Sequence, residues 1–172
     1  ANSASAYATG HKSVVNAMGV YEDSTADPFD DPRVENITEI VKRSRGMSVG
    51  IITQAESTDA TPAAMVGHTR RRANQDYPDV IMGGGLQRYI PQGEEGSKRH
   101  DNQNVVQEFK DKGYTYATTS KEMMAAPSDK PLLGLFHKGT MNVYIDREML
   151  KNPEVLGKYT DQPNLVNMTK KS

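Results

Sequence analysis

The chain has 172 residues, of which 35% are hydrophobic, and it contains neither cysteine nor tryptophan. Its net charge is −1, with acidic and basic residues interspersed, which gives no electrostatic case for binding nucleic acid or an anionic membrane. No apolar run approaches the roughly 20 residues of a membrane span, and the lack of cysteine excludes disulfides and thiolate metal sites. The low hydrophobic content predicts a segment cut at both ends from a larger protein.

The first two predicted helices end at glycines. The small residues of 1–10 are typical of a close-packed helix that ends at Gly10. The second helix is predicted to take Asp31 as its N-cap and Pro32 as its first residue, and to end at Gly46. One apolar stripe supports this helix, formed by Val34, Ile37, Ile40 and Val41.

Short apolar runs alternate with helical segments along the rest of the chain. A buried strand is predicted over 47–53, and a helix from Pro62 to about Thr69. The later elements are strands at 80–82, 114–118 and 132–136, helices at 102–112 and 120–125, and a last helix that begins at Pro163. This alternation predicts one α/β domain over residues 1–172, with a mainly parallel sheet flanked by helices.

The loop after the first predicted strand carries candidate metal ligands. Ligands of open α/β sheets bind beyond the carboxyl ends of the strands. Side-chain oxygens in this loop come from Glu56, Ser57, Thr58, Asp59 and Thr61, and such oxygens suit a hard cation such as magnesium. The same pattern also fits an ordinary helix N-cap, formed by Thr61 or Asp59. Spacing alone favours the cap.

Three arginines and a histidine follow this helix. Any of Arg70, Arg71 and Arg72 could grip a phosphate through two hydrogen bonds, although cations at a helix C-terminus more often form a solvated end. His68 is more typical of a structural histidine than of a ligand. The run Gly83–Gly85 lacks the Walker and dinucleotide motifs, so a turn with closely packed backbones is favoured over a phosphate cradle.

Five blocks of the sequence together resemble the alkaline phosphatase family. They stand in family order and cover nearly the whole chain, at residues 3–12, 59–72, 79–85, 96–99 and 132–136. The resemblance implies a partial three-layer α/β sandwich around a mixed, mostly parallel sheet, as part of a larger alkaline phosphatase domain. It also implies metal-dependent hydrolysis of phosphate monoesters through a phosphoseryl intermediate, with one Mg²⁺ and two Zn²⁺ ions.

The resemblance assigns roles to three residues of this segment. Thr61 matches the position whose hydroxyl coordinates magnesium, and Asp59 matches a position that holds magnesium-bound waters. Arg72 matches the arginine that clamps two phosphate oxygens, with Arg71 as the fallback in this register. His68 matches a position with no catalytic role in the family.

The remaining catalytic groups are expected outside the segment. The family's nucleophilic serine lies immediately before the position of Ala1, and neither Ser3 nor Ser5 matches it. The zinc ligands are also expected outside. Only six residues separate Arg72 from Asp79, where most members have an additional helix, so a deletion or missing residues are expected there.

The resemblance implies an alkaline phosphatase that acts on phosphate monoesters, releases inorganic phosphate, is periplasmic or secreted, and forms a homodimer. One alternative is a phosphodiesterase or sulfatase of the same superfamily. Another is a catalytically inactive fragment that serves as a binding or structural module. The arginine clamp favours monoesters, because a terminal phosphate offers it two charged oxygens.

Overall fold

The computed structural model of the protein describes residues 2–15, 17–21, 25, 27, 30–68 and 78–172. The α-helices in these residues are α1 (Asn2–Thr9), α2 (Ile37–Arg45), α3 (Ala60–Ala64), α4 (Val105–Asp111), α5 (Ser120–Ala125), α6 (Pro153–Leu156) and α7 (Leu165–Lys171). The strands are β1 (Gly50–Glu56), β2 (Val80–Gly84), β3 (Thr115–Ala117) and β4 (Leu132–Leu135). A 3₁₀ turn over Leu86–Arg88 and a π-helical segment over Ile145–Leu150 complete the regular structure of the described residues.

The chain divides into two compact units. The helical unit comprises Ala1–Val49 and Thr58–Asp79, and the sheet unit comprises Gly50–Ser57 and Val80–Ser172. The interpretation of residues 1–172 as a single domain within a larger one stays a prediction.

The sheet unit is built on a parallel four-stranded sheet. Its strands lie in the order β1-β2-β4-β3, and all three pairings are parallel. Every residue of β4 is buried, as is typical of a parallel strand covered on both faces. The predicted α/β fold with a parallel sheet is confirmed. An antiparallel strand, which would make the sheet mixed, is absent from the sheet that the described residues form.

Helices cover both faces of this sheet. Because side chains alternate along a strand, the buried strand residues fall into two apolar clusters. One cluster includes Ile81 and Leu133 with Val106 and Phe109 of α4, and the other includes Met82 and Leu132 with Met123 of α5 and Met168 of α7. Each fully buried side chain of this size contributes roughly 1.5–3 kcal/mol. The arrangement is a partial three-layer sandwich.

The helical unit has a small core made largely of alanines. Helix α1 packs on α3 through Ala4, Ala63 and Ala64, together with Met18. Gly10 ends α1 at a φ of 74°, as predicted from its position. No helix in the described part of the chain is long and apolar enough to cross a membrane.

Strand β1 begins and ends three residues later than predicted. The carboxylate of Asp79 accepts a hydrogen bond from the Val49 backbone nitrogen at 2.8 Å and from the Lys42 ammonium group at 2.8 Å. Pairing with β2 therefore starts only at Gly50, which lies opposite Val80.

The predicted start of α2 at Pro32 is wrong. Arg33 forms an isolated antiparallel bridge with Val20, which keeps the chain extended there. The helix instead begins after Asn36, whose side chain accepts from the backbone nitrogens of Thr38 and Glu39, while the Glu39 side chain accepts from the Asn36 nitrogen. This reciprocal capping box satisfies backbone donors of the first turn.

Other boundaries also differ from the predictions. Helix α3 begins two residues before Pro62 and ends at Ala64, well short of Thr69. Proline is tolerated in this first turn because its missing N–H would have no helical partner. The π-helical segment and α6 were not predicted, since residues 145–156 lack a clear apolar stripe.

Candidate metal and phosphate site

Asp59 and Thr61 both lie at the start of α3, and Asp59 is the residue that caps this helix. Its backbone is extended, with φ −71° and ψ 166°, and its carboxylate accepts a hydrogen bond from the Ala60 nitrogen at 2.7 Å. Thr61 stands inside the first turn and is exposed. Of the two caps that the sequence left open, the structure has Asp59, and the Thr61 hydroxyl is accessible to a ligand.

Two other candidate ligands of the predicted loop are engaged within the sheet unit. Glu56 ends β1, and its carboxylate accepts from Gln87 Nε2 at 2.5 Å and from Arg88 Nε at 3.4 Å. Ser57 is buried, and its hydroxyl shares a hydrogen bond of 2.8 Å with that of Tyr89. These contacts fix the turn after β2 against the end of β1, and they leave Asp59 and Thr61 as the stronger candidates.

The glycine run Gly83–Gly85 ends β2 and begins the closely packed turn that follows it. A methyl group at Gly84 would overlap the carbonyl oxygen of Gly139, which follows β4. The Gly85 nitrogen donates to the carbonyls of His137 and Gly139, at 3.0 and 2.9 Å, and Gly85 has a φ of 101°. Since these carbonyls occupy the Gly85 donor, the turn agrees with the backbone-packing interpretation and not with a phosphate cradle.

His68 is buried within the helical unit, with both ring nitrogens in contact with partners. Nδ1 donates to the Gly19 carbonyl at 2.8 Å, and Nε2 lies 2.8 Å from the Glu39 carboxylate. Its side chain is only 1% exposed. These contacts agree with the interpretation of His68 as a structural histidine.

His137 was not singled out from the sequence, although it follows β4 at the carboxyl edge of the sheet. Its Nδ1 accepts from the Gly139 nitrogen at 3.1 Å, and its ring packs on Tyr159 with centroids 4.4 Å apart. Burial, assisted by the charge of Lys138, lowers the pKa of His137 below its ordinary value. The residue lines a cavity of about 300 Å³, and the signal that points to it is its place after a buried strand.

Arg72 and its fallback Arg71 fall in residues 69–77, outside the described residues. The convergence of Arg72 with Thr61 on one site therefore stays a prediction.

The described residues do not form a complete metal centre. No group of three or more histidine, aspartate or glutamate side chains that could hold a metal ion occurs among them. Asp59 and Thr61 do offer the oxygen donors that magnesium prefers. They fit a magnesium site as part of a larger set of ligands.

Comparisons with known proteins agree on one family. The family model for alkaline phosphatase matches residues 1–79 and 74–172. Alkaline phosphatase 4 of Bacillus subtilis is 30% identical over 181 residues, which cover 96% of this chain and 35% of that protein. The chain thus spans about a third of the length of this relative.

Solved structures give the same result. The cold-active alkaline phosphatase of a psychrophilic Shewanella species superposes with a TM-score of 0.69 at 28% identity, over 99% of this chain and 37% of that one. A TAB5 alkaline phosphatase variant with magnesium bound in its M3 site superposes with a TM-score of 0.63 at 25% identity, over 83% of this chain and 40% of that one. With a family model that covers both halves of the sequence, the chain belongs to the alkaline phosphatase family.

Proposed function

We propose that the protein hydrolyses phosphate monoesters through a phosphoseryl intermediate, and that this chain supplies part of the magnesium and phosphate sites. The family match over both halves of the chain carries this proposal. The exposure of Thr61, in the first turn of α3 and within the matched residues, supports it further. The nucleophilic serine and the ligands of two zinc ions belong to other parts of the enzyme.

Thr61 and Asp59 are the residues of this chain that would hold magnesium. The Thr61 hydroxyl would coordinate the ion directly, and the Asp59 carboxylate would orient waters bound to it. A TAB5 alkaline phosphatase variant with magnesium in its M3 site supports a role for this metal in the family. When bound, magnesium and zinc supply positive charge that stabilises the attacking and leaving oxygens.

Arg72 is the proposed phosphate clamp. A guanidinium group presents two parallel N–H donors that match two oxygens of a terminal phosphate. In the transition state these donors would stabilise the charge that spreads over the same oxygens. A monoester presents such oxygens with two negative charges, whereas a diester presents one charge, so the clamp favours monoesters.

Replacement of single arginines tests the proposal. We expect Arg72→Ala to weaken binding of inorganic phosphate by about 10- to 100-fold, as the loss of charged hydrogen bonds implies. Arg70→Ala, the matched control, should change this binding by less than about threefold, since a charge that does not contact the phosphate contributes little. Phosphate inhibition of p-nitrophenyl phosphate hydrolysis measures both. Equal effects of the two substitutions, or no hydrolysis of a monoester by the unmodified enzyme loaded with both metals, would contradict the proposal.

A comparison of turnover on different classes of ester is a second test of the proposed function. We expect turnover of a phosphate monoester to exceed that of a diester or a sulfate ester, and faster turnover of either rival substrate would place the protein in another branch of the superfamily.

The expected setting of the enzyme follows from the family resemblance. We infer that it acts outside the cytoplasm, in the periplasm or after secretion, as a homodimer. Cell fractionation and light scattering of the purified enzyme measure the two properties.

A further inference from the structure

The neighbouring strands β2 and β4 send the chain to opposite faces of the sheet. The segment after β2 leads to α4, whose Val106 and Phe109 join one apolar cluster, and the segment after β4 leads to α7, whose Met168 joins the other. Open α/β sheets bind ligands where segments diverge in this way beyond the carboxyl ends of the strands. A cavity of about 300 Å³ lies at this place, lined by Leu86 after β2 and by His137 after β4.

Several apolar side chains line this cavity. They are Leu86, Ile90, Val155, Leu156 and Tyr159. Small-ligand sites combine such a surface with a few polar groups that orient the ligand. The cavity of about 300 Å³ has the volume of roughly ten water molecules in the liquid, which is sufficient for a six-membered ring with one charged group.

His137 offers the cavity a hydrogen-bond donor. Its Nδ1 lies 3.1 Å from the Gly139 nitrogen. A backbone N–H can only donate, so Nδ1 accepts and the ring proton is carried by Nε2. Nε2 forms no hydrogen bond with the described part of the chain. It is also not buried, since the buried side-chain nitrogens that lack a partner in these residues all belong to Arg147.

The protonation of His137 suits an anion and not a metal ion. Burial, assisted by the charge of Lys138, lowers the pKa of the ring, so His137 is neutral at pH 7. The Gly139 N–H occupies the lone pair on Nδ1, and Nε2 carries the proton. The ring therefore presents a donor to the cavity and no lone pair that could coordinate a metal.

Two exposed lysines add positive charge to the lining. The Lys158 ammonium nitrogen lies 5.5 Å from the centre of the Tyr159 ring, and the centre of that ring lies 4.4 Å from the centre of the His137 ring. The Lys138 stem packs against Gly96, where a methyl group would lie 3.7 Å from Lys138 Cδ. Neither lysine forms an ion pair with another described residue, so both charges are available to a ligand.

We propose that this cavity binds a small organic anion with a carboxylate or phosphate group. The anionic group accepts a hydrogen bond from Nε2 of His137 and is attracted by the ammonium groups of Lys138 and Lys158, while the apolar body of the ligand packs on the apolar lining. Glu95 is the one acidic residue of the lining, which leaves two positive charges against one negative charge and favours an anion. The site does not depend on the proposed hydrolysis.

Nuclear magnetic resonance of methyl groups tests the site in the intact enzyme. Ile90 lines the cavity, whereas Ile145 is exposed elsewhere in the sheet unit. With ¹³C-methyl-labelled isoleucine, we expect the Ile90 signal, assigned through Ile90→Val, to shift saturably with sodium benzoate or with phenylphosphonate, and the Ile145 signal to stay in place. The two titrations show whether the site prefers a carboxylate or a phosphate-like group. Benzyl alcohol, a neutral ligand with the same ring, should bind at least about tenfold more weakly, because it lacks the charged hydrogen bond.

Substitution of the lysines identifies the charges that act on the ligand. Lys138→Gln and Lys158→Gln should each weaken benzoate binding about threefold, the effect of an exposed charge close to an ion, and the double variant should weaken it about tenfold if the effects add. Lys130→Gln, the matched control outside the cavity, should leave the affinity unchanged. All three lysines are exposed, so the variants should fold.

Substitution of His137 tests the donor. His137→Phe keeps a ring beside Tyr159 but removes Nε2–H, so benzoate binding should weaken about tenfold, the loss of a hydrogen bond to a charged group. His137→Gln, whose side-chain amide supplies a donor, should retain more of the affinity. The lysine variants keep the test valid if both His137 variants unfold.

Three results would overturn the proposal. They are the absence of a saturable Ile90 shift with either anion, equal affinity for benzyl alcohol and benzoate, and a loss of affinity in Lys130→Gln as large as that in Lys138→Gln and Lys158→Gln. Because Ile90 reports on this cavity, an anion that binds only at the proposed active site would leave the Ile90 signal in place. The two proposals can therefore fail separately.

Discussion

Thr61 and Glu56 lie five residues apart, and their contacts suit them to different roles. Gln87 and Arg88 engage the carboxylate of Glu56, which leaves it a structural part of the sheet edge. Thr61 is exposed, and Asp59 caps the helix in its place. The Thr61 hydroxyl can therefore be removed without loss of the helix cap.

We predict that Thr61→Val weakens Mg²⁺ binding by at least about tenfold, the scale found for ligand-shell substitutions. Because Thr61 is exposed and the Asp59 cap remains, the free energy of unfolding of the metal-free protein should change by less than about 1 kcal/mol. Magnesium titration followed by calorimetry measures the first effect, and urea unfolding the second.

Thr140→Val, in an exposed loop, is the matched control and should leave magnesium affinity unchanged. Wild-type magnesium affinity in Thr61→Val together with lower stability would show instead that Thr61 is structural.

Tyr89 makes stability depend on alkaline pH. Burial raises its pKa from 10.0 to about 12, an effect that its hydrogen bond with Ser57 partly opposes. The unfolded chain loses this proton near pH 10 and the folded protein keeps it, so the unfolded state binds fewer protons between the two values. Stability from this residue is complete below pH 10 and is lost as the pH rises towards 12, by on the order of 2 kcal/mol.

Urea unfolding at pH 9 and at pH 11.5 measures this loss. Tyr89→Phe should be less stable at pH 9, since the Ser57 hydroxyl loses a partner, yet should lose less stability over the pH interval. Tyr116, whose pKa burial also raises to about 12, contributes to the dependence that remains. An identical pH dependence in Tyr89→Phe and the parent would contradict the assignment.

For single residues, the sequence predicts where a residue lies in a helix or strand better than it predicts which distant residues it contacts. Asp59 and Thr61 next to Pro62 predict a helix start, because capping chemistry is local. The hydrogen bonds that the Glu56 carboxylate accepts were not predictable. Their donors, Gln87 and Arg88, lie about 30 residues further along the chain and meet Glu56 only after the sheet has formed.

At the scale of elements, the end of β2 depends on the absence of a side chain at Gly84. We predict that Gly84→Ala destabilises the protein by about 1–3 kcal/mol, the usual range for overpacking. The added methyl group would overlap the Gly139 carbonyl, which is backbone and cannot rotate away. Thermal and urea unfolding measure the change.

Gly50→Ala is the control, because a methyl group at the first residue of β1 would make only ordinary van der Waals contact with Val80. A loss of stability in Gly84→Ala no larger than that in Gly50→Ala would show that the backbones can separate without cost.

Local signals decided which elements were predicted correctly. The bounds of α5 were predicted correctly, and the structure shows a capping box between Thr119 and Glu122 at its start. The same type of signal exists at Asn36 and Glu39 for α2, but Asp31-Pro32 competed with it. The bridge between Val20 and Arg33 decides between them, and no spacing along the sequence reveals that contact.

At the scale of the whole molecule, alternating strands and helices were sufficient to predict the parallel sheet. The strand order was not predictable, because β4 inserts between β2 and β3, and spacing does not encode which strands become neighbours. Family membership was predictable because five weak blocks occur in one order. The metal and phosphate sites assigned to Asp59, Thr61 and Arg72 stay predictions, since the described residues form no group of three or more metal-binding side chains and Arg72 lies outside them.

We predict that metal removal abolishes activity. After treatment with a chelator, hydrolysis of a monoester should fall to background, and restoration should need both Mg²⁺ and Zn²⁺. The midpoint of thermal unfolding should fall as well, because ligands that bind only the folded state stabilise it. Full activity in a preparation shown to be metal-free by elemental analysis would exclude the proposed chemistry.

Thr61 belongs to the long connection between β1 and β2, while the register of these strands depends on their own backbone pairing. Changes in the length of this connection need not shift the sheet by a residue. Evolution is thus free to add or delete segments in this connection while the pairing of the two strands is kept.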